Sequence, residues 1–375
     1  MIYLDYSANT PVDARVLEQF CAVERRCIGN ANSHHQAGFA AKAEIDAATI
    51  KIASLLGVQP AEIIYTSGAS EANNFALKGL ARLSRHAGRH IISTPLEHSS
   101  VSGTLTALQE QGYEIDLLDV KQDGTVDLER LKDLLRPDTI CVAVTLVDSE
   151  LGVVQPVQEI AAILKAYPHC HLHVDATQAV GKIPVSFEGV DTMSLTAHKF
   201  YGLNGIGLLI KRRNLALEPL IHGGESTTIY RSGTPTVALA SSLACALDLA
   251  VTDLPGRVDH VAKLNAELRA ALSTYPLVRI NSPDHAIPHV LNLSVQNVKG
   301  TVFQRELDAK GVCVSVKSAC SSDGLPSRAV FAVSRDRRNA LSSWRISLSH
   351  LTTEDEIKAF LQAFDVCYRE LTAVH

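Results

Sequence analysis

Residues 63–83 read IIYTSGASEANNFALKGLARL, and this stretch sets the architecture. Ile63–Thr66 is a short apolar run closed by small residues, the pattern of a buried strand. From Ser70 to Leu83 the period changes: Ala72, Phe75, Ala76, Gly79, Leu80 and Leu83 fall on one helical face. Between them, Thr66-Ser-Gly-Ala-Ser70 is a turn that feeds a helix N-terminus. Backbone N–H groups and the helix dipole favour an anion there, although Ser70 acting only as a helix cap explains the same residues.

The same alternation spreads in both directions. Apolar runs at 90–93, 115–118, 140–146, 172–174, 192–195 and 207–210 read as further buried strands separated by amphipathic stretches. The expectation is an α/β fold, with a large domain over residues 31–253 built on a mostly parallel sheet. Asp253-Leu-Pro-Gly256 breaks a long helical pattern. Residues 254–375 then mix helices and strands as a smaller α+β domain, with helices at 258–272 and 301–310 and strands at 278–280, 290–294, 313–316 and 344–348. Thr353 and Glu356 form a capping box at the start of the last helix. The N-terminal segment 1–30 is compatible with packing on either part.

Of the 375 residues, 46% are hydrophobic and 20% charged, enough apolar material for a large core and too little charge for disorder. A net charge of -5 with no basic run argues against nucleic acid as the main ligand. The longest apolar stretch, 237–251, carries Asp248 and is too short to span a bilayer. The first residues lack a signal-peptide pattern, and the eight cysteines form no C-x-x-C pair; a cytoplasmic protein with reduced thiols is expected.

Several polar residues follow strands, where open α/β sheets bind ligands. Lys199, after His198, is placed to form a Schiff base with a carbonyl group, and Lys182 is a competitor that spacing does not remove. Asp175 ends an apolar strand and suits a protonated ring nitrogen, or simply caps a turn. His169, His171 and His173 share a strand face but crowd one column without a fourth ligand, so no metal site is assigned. Cys320 sits in a small, polar stretch near Lys317, the setting of a reactive thiol or of an ordinary loop cysteine. Arg345, on a short strand, could hold a carboxylate bidentately or serve in a surface ion pair.

Taken in order, nine segments resemble the pyridoxal-phosphate-dependent cysteine desulfurases of the class V aminotransferase family, the NifS/IscS-like group. They are residues 3–11, 66–71, 97–98, 150–153, 173–178, 198–199, 231–234, 318–320 and 345–348. The resemblance implies a fold-type-I homodimer that converts L-cysteine to L-alanine. Lys199 would bond the cofactor, Asp175 would pair with its ring nitrogen, and Gln178 would contact its phenolic oxygen, with Asp148 nearby. His98 would stack on the ring and assist proton transfers. Ala69, Ser70, Thr196 and His198, with Thr234 from the other subunit, would hold the phosphate. Arg345, and Asn30 more weakly, would grip the substrate carboxylate. Cys320 would take the sulfur as a persulfide and pass it to an iron–sulfur scaffold, a tRNA-thiolation enzyme or a sulfur carrier. The separation of 25 positions from Cys320 to Arg345 resembles the long-loop members that deliver sulfur directly. A selenocysteine lyase, an aminotransferase of the same fold and a non-catalytic cofactor-binding module are the rival readings.

This sequence departs from the family pattern in places. Asp148 stands for an asparagine, and an ionised carboxylate there would repel both anions unless protonated or turned away. Lys317 stands for a glycine, Ser349-His350 for Gly-Arg, and Asn9 for a threonine. The sequence ends at His375, short of the tail with which long-loop members dock a scaffold, which weighs against that partner.

Overall fold

The computed structural model describes residues 1–317 and 325–373. Its centre is a seven-stranded sheet in the order Ile63–Thr66, Gly207–Lys211, Thr192–Thr196, His171–Asp175, Thr139–Thr145, His90–Ser93, Glu114–Leu117. Gly207–Lys211 runs antiparallel to both neighbours, and the other strands run in one direction. Such a sheet needs cover on both faces, and Thr139–Thr145 is accordingly buried at every position. One face carries helices Ala69–Leu83 and Ser99–Gln109, whose Phe75, Leu80, Val101 and Leu105 pack on Ile91 and Ile140. The other carries Val157–Leu164 and Val237–Thr252, with Ile160, Leu243 and Leu247 against Val142 and Val174.

Because these strands share a direction, their carboxyl ends open on the same edge of the sheet. Glycine permits the closest approach there: a Cβ at Gly207 would stand 2.7 Å from the Cα of Gly68.

A second core surrounds a three-stranded sheet, Ser343–Ser347, Val290–Val295 and Val278–Ile280, covered by helices Leu254–Leu272, Gly300–Ala309 and Glu354–Thr372. Trp344 stacks on Phe303, and Phe360 and Phe364 close the cluster. The capping box between Thr353 and Glu356 forms. Two expectations shift. The helix expected from residue 258 begins at Leu254, because Pro255 falls in its first turn, where a missing N–H costs nothing. The strand expected over 313–316 is reduced to Val312–Cys313 and a bridge from Ser315 to Arg345.

The N-terminus contacts both cores. Ile2–Tyr3 pairs in parallel with Val312–Cys313, and Leu4 is buried in the small core. Helix Ala14–Arg26 instead packs Val23 beside Val237 and Ala240. Among the described residues no single helix is long and apolar enough to cross a membrane.

Candidate active site

A cavity of about 360 Å³ lies at the carboxyl edge of the large sheet. Its floor comes from residues that end or follow strands: Asp175, Gln178, Thr196, His198 and Lys199. Gly68, Ala69 and Ser70 form one end, at the N-terminus of the fifteen-residue helix Ala69–Leu83. His98 and Leu96 form a side, and Ser7, Ala8 and Arg345 face the floor.

The carboxylate of Asp175 is held in place rather than free to turn. Its Oδ2 accepts from Asn73 Nδ2 at 2.8 Å and its Oδ1 from the backbone N–H of Thr177 at 2.9 Å. The Asn73 carbonyl in turn accepts from His173 Nε2 and Ser194 Oγ, and His173 Nδ1 meets Thr192 Oγ1. Burial pushes the His173 pKa down, which keeps a neutral ring at the far end of this chain. His173 is thus a structural partner of Asp175. Among the described residues no cluster of three His, Cys, Asp or Glu is arranged to hold a metal.

The two competing lysines are separated by the structure. Lys199 lines the cavity, in a 3-10 turn immediately after strand Thr192–Thr196, and its Nζ donates to the carbonyls of Ser7 (2.7 Å) and Ala8 (2.6 Å). Lys182 is buried behind Gln178 and donates to its Oε1 at 2.7 Å. Burial, helped by the charges of Lys199 and Arg345, pushes Lys182 down to about 7. With Oε1 so engaged, Gln178 turns its NH₂ outward, onto the Ser7 carbonyl at 2.9 Å.

His98 precedes helix Ser99–Gln109, and its Nδ1 accepts from the Ser100 N–H at 3.1 Å. Burial lowers its pKa despite the opposing charge of Asp175. His198 shares its Nδ1 with Thr196 Oγ1 at 3.1 Å, and burial pushes it down to about 4. Arg345 is 2% exposed; Nη1 donates to the Ser149 carbonyl at 2.7 Å and Nη2 to Asp5 Oδ1 at 2.9 Å.

Three expected residues stand elsewhere. Asp148 does not line the cavity, because its Oδ2 is folded back onto the N–H groups of Glu150 and Leu151. Burial, reinforced by the neighbouring Glu150, holds its carboxyl up at about 7. Both escapes from anion repulsion, turning away and a raised pKa, are therefore used. Asn30 is exposed and caps its own turn by accepting from the Asn32 N–H. Thr234 lines a separate hollow with Ser226 and Arg231, and the expectation for it concerned a second copy of the chain. Cys320 lies outside the described residues.

Other residues carried no role in the sequence reading. Asn73 lies inside the helix pattern as one polar residue among several, and only the sheet beneath reveals its target. Glu97 is buried, accepts from Thr94 Oγ1 and the Thr145 N–H, and is pushed up to about 8 by burial. Its place beside His98, in the matching segment 97–98, was the signal the sequence carried.

The chain matches the family model described as aminotransferase class-V over residues 2–360. It belongs to that family. Within it, the chain is NifS/IscS-like: it is 40% identical to the cysteine desulfurase IscS of Proteus mirabilis, over 95% of this chain and 90% of that protein. The solved structure of a NifS-like protein superposes with a TM-score of 0.92 at 35% identity, covering 99% of both chains. A structure described as SspA in complex with cysteine matches with a TM-score of 0.83 at 30% identity, over 94% of this chain and all of that one. The family is pyridoxal-phosphate dependent.

Proposed function

We propose that the protein is a homodimeric cysteine desulfurase that converts L-cysteine to L-alanine and transfers the sulfur to Cys320. The observation that carries this reading is the convergence of Asp175, Gln178, Lys199, His98 and Arg345 on one cavity. The donor set fits pyridoxal phosphate from end to end. The helix N-terminus at Ala69 and Ser70, with Thr196 and His198, suits the phosphate. Thr234 of a second copy would complete that cradle. Asp175 suits a protonated ring nitrogen, the outward NH₂ of Gln178 suits the phenolic oxygen, and Lys199 supplies the amine.

Bound there, the cofactor supplies an electron sink for the substrate's α-carbon. The protein's residues do the rest. Asp175, anchored by Asn73, keeps a proton on the ring nitrogen. Lys199, released from the Ser7 and Ala8 carbonyls, takes and returns the proton at the α-carbon. Arg345 orients the substrate through its carboxylate. With Nδ1 occupied by the Ser100 N–H, neutral His98 presents Nε2–H as a proton donor. The Cys320 thiolate attacks the substrate sulfur: an S–S bond forms, the Cβ–S bond breaks towards carbon, and a proton delivered to that carbon completes alanine. The persulfide is then handed to an acceptor protein. The described cysteines are unpaired, in keeping with a reducing cytoplasm. We place the unit boundaries near residues 30 and 253.

The test is desulfuration of L-cysteine by Lys199→Ala and Cys320→Ala. Loss of alanine formation in the first and of protein-bound persulfide in the second is expected; wild-type turnover in either overturns that residue's assignment.

A further inference from the structure

We infer that Asp5 is a positioning residue that joins the substrate-carboxylate arginine to the root of the segment carrying Cys320. The inference rests on the proposed roles of Arg345 and Cys320 and adds a residue that those roles do not require.

The backbone brings three distant places together. The parallel register Ile2↔Val312 and Tyr3↔Cys313 continues as Leu4 N–H donates to the Cys313 carbonyl at 3.0 Å, which sets Asp5 beside Ser315. On its other side Asp5 bridges Ser347, whose N–H donates to the Leu4 carbonyl at 2.8 Å. Ser315 and Arg345 also pair directly: Arg345 N–H donates to the Ser315 carbonyl at 2.6 Å, and Ser315 N–H to the Arg345 carbonyl at 3.2 Å.

Within this frame the two carboxylate oxygens divide their work. Oδ1 accepts from Arg345 Nη2 at 2.9 Å, and Oδ2 accepts from Ser315 Oγ at 2.7 Å. The Arg345 side chain is 2% exposed and that of Asp5 18%, so water screens the pair little. The guanidinium is clamped by Asp5 on one nitrogen and by the Ser149 carbonyl on the other, while its buried Nε has no partner among the described residues. Arginine has further N–H groups to offer, so a substrate carboxylate can be added to the clamp without breaking it. Asp5 therefore does two things. It fixes the plane in which Arg345 presents its donors, and it ties that plane to Ser315, five positions before Cys320. A pull on the guanidinium by substrate reaches Ser315 through one carboxylate.

The test uses the holoenzyme and two ligands without sulfur, L-alanine with a carboxylate and ethylamine without one. Binding is read from the visible absorbance of the bound cofactor. Asp5→Ala should weaken L-alanine about tenfold, the worth of a charge-assisted hydrogen bond, and leave ethylamine nearly unchanged. Asp5→Asn, which keeps an acceptor oxygen but no charge, should fall between. Ser315→Ala should leave L-alanine binding intact yet slow persulfide formation on Cys320 at saturating L-cysteine severalfold. Equal weakening of both ligands by Asp5→Ala, or no change in either, overturns the positioning role; an unchanged persulfide rate in Ser315→Ala overturns the link. Arg345→Lys separates this from the reading beneath it. If that variant discriminates normally against ethylamine, the carboxylate site itself is misplaced and the role of Asp5 falls with it.

Discussion

Two walls of the cavity face each other and are built differently. The floor comes from consecutive strands of one sheet, where Asp175, Thr196 and Lys199 each stand at or within three residues of a strand end. The other wall comes from Ser7, Ala8 and Arg345, the last on strand Ser343–Ser347 and ion-paired with Asp5, 340 positions away. Parallel pairing fixes the first wall, and the two strands beneath it are buried, with Leu172, Val174, Met193 and Leu195 in the core on one face and His173 and Ser194 bonded to Asn73 on the other. The second wall exists only when the chain's start closes onto its far end. On the proposed reading, the floor holds the cofactor and the opposite wall meets the substrate carboxylate. Lys199 sits between them: the floor carries its backbone, and the carbonyls of Ser7 and Ala8 hold its amine.

Substitutions should separate the two walls. Lys199→Ala should have the largest effect, a loss of alanine formation of about 10³-fold or more, since it removes both the proposed anchor of the cofactor and the proposed proton carrier; single-turnover assays with L-cysteine check it. Arg345→Lys should come next, raising KM for L-cysteine on the order of 10²-fold with the cofactor's absorbance band unchanged, because a point charge does not replace a clamped fork. Asn73→Ala should lower kcat about tenfold while shifting that band, because the buried Asp175 carboxylate loses its side-chain donor. A band shift in Arg345→Lys, or a pure KM effect in Asn73→Ala, would break the division between walls.

The smallest effect is on stability. Burial raises the folded pKa of Asp148 from its ordinary value near 4 to about 7. In that window the folded state binds more protons than the unfolded one, so stability falls as pH rises from about 4 and the loss is complete above about 7. Asp148→Asn removes this liability, and its melting temperature relative to the wild type should be higher at pH 8 than at pH 5. A constant difference across that range would contradict the buried, turned-back carboxylate.

The same contrast decides what the sequence reveals. Strand–turn–helix signals are local, so Ile63–Leu83 and the residues trailing each strand were legible, and the large sheet followed from them. Lys182 and Lys199 could not be separated by spacing, because the choice depends on which one the sheet edge exposes to the cavity. Asn73, Asp5 and Ser315 were silent because their partners are 102, 340 and 310 residues away. Asp148 was expected beside the cofactor from its motif position, but its Oδ2 is turned onto the N–H groups of Glu150 and Leu151, a local contact that the motif does not show.

The central claim is sulfur transfer from L-cysteine to Cys320 at this cavity, and one titration addresses it directly. The purified holoenzyme is titrated with L-cysteine while the cofactor's absorbance, alanine and protein-bound persulfide are followed together. The account predicts alanine and persulfide appearing in equal first-turnover amounts, with persulfide absent in Cys320→Ala. A full cofactor band with no alanine, or undiminished persulfide in Cys320→Ala, would contradict it.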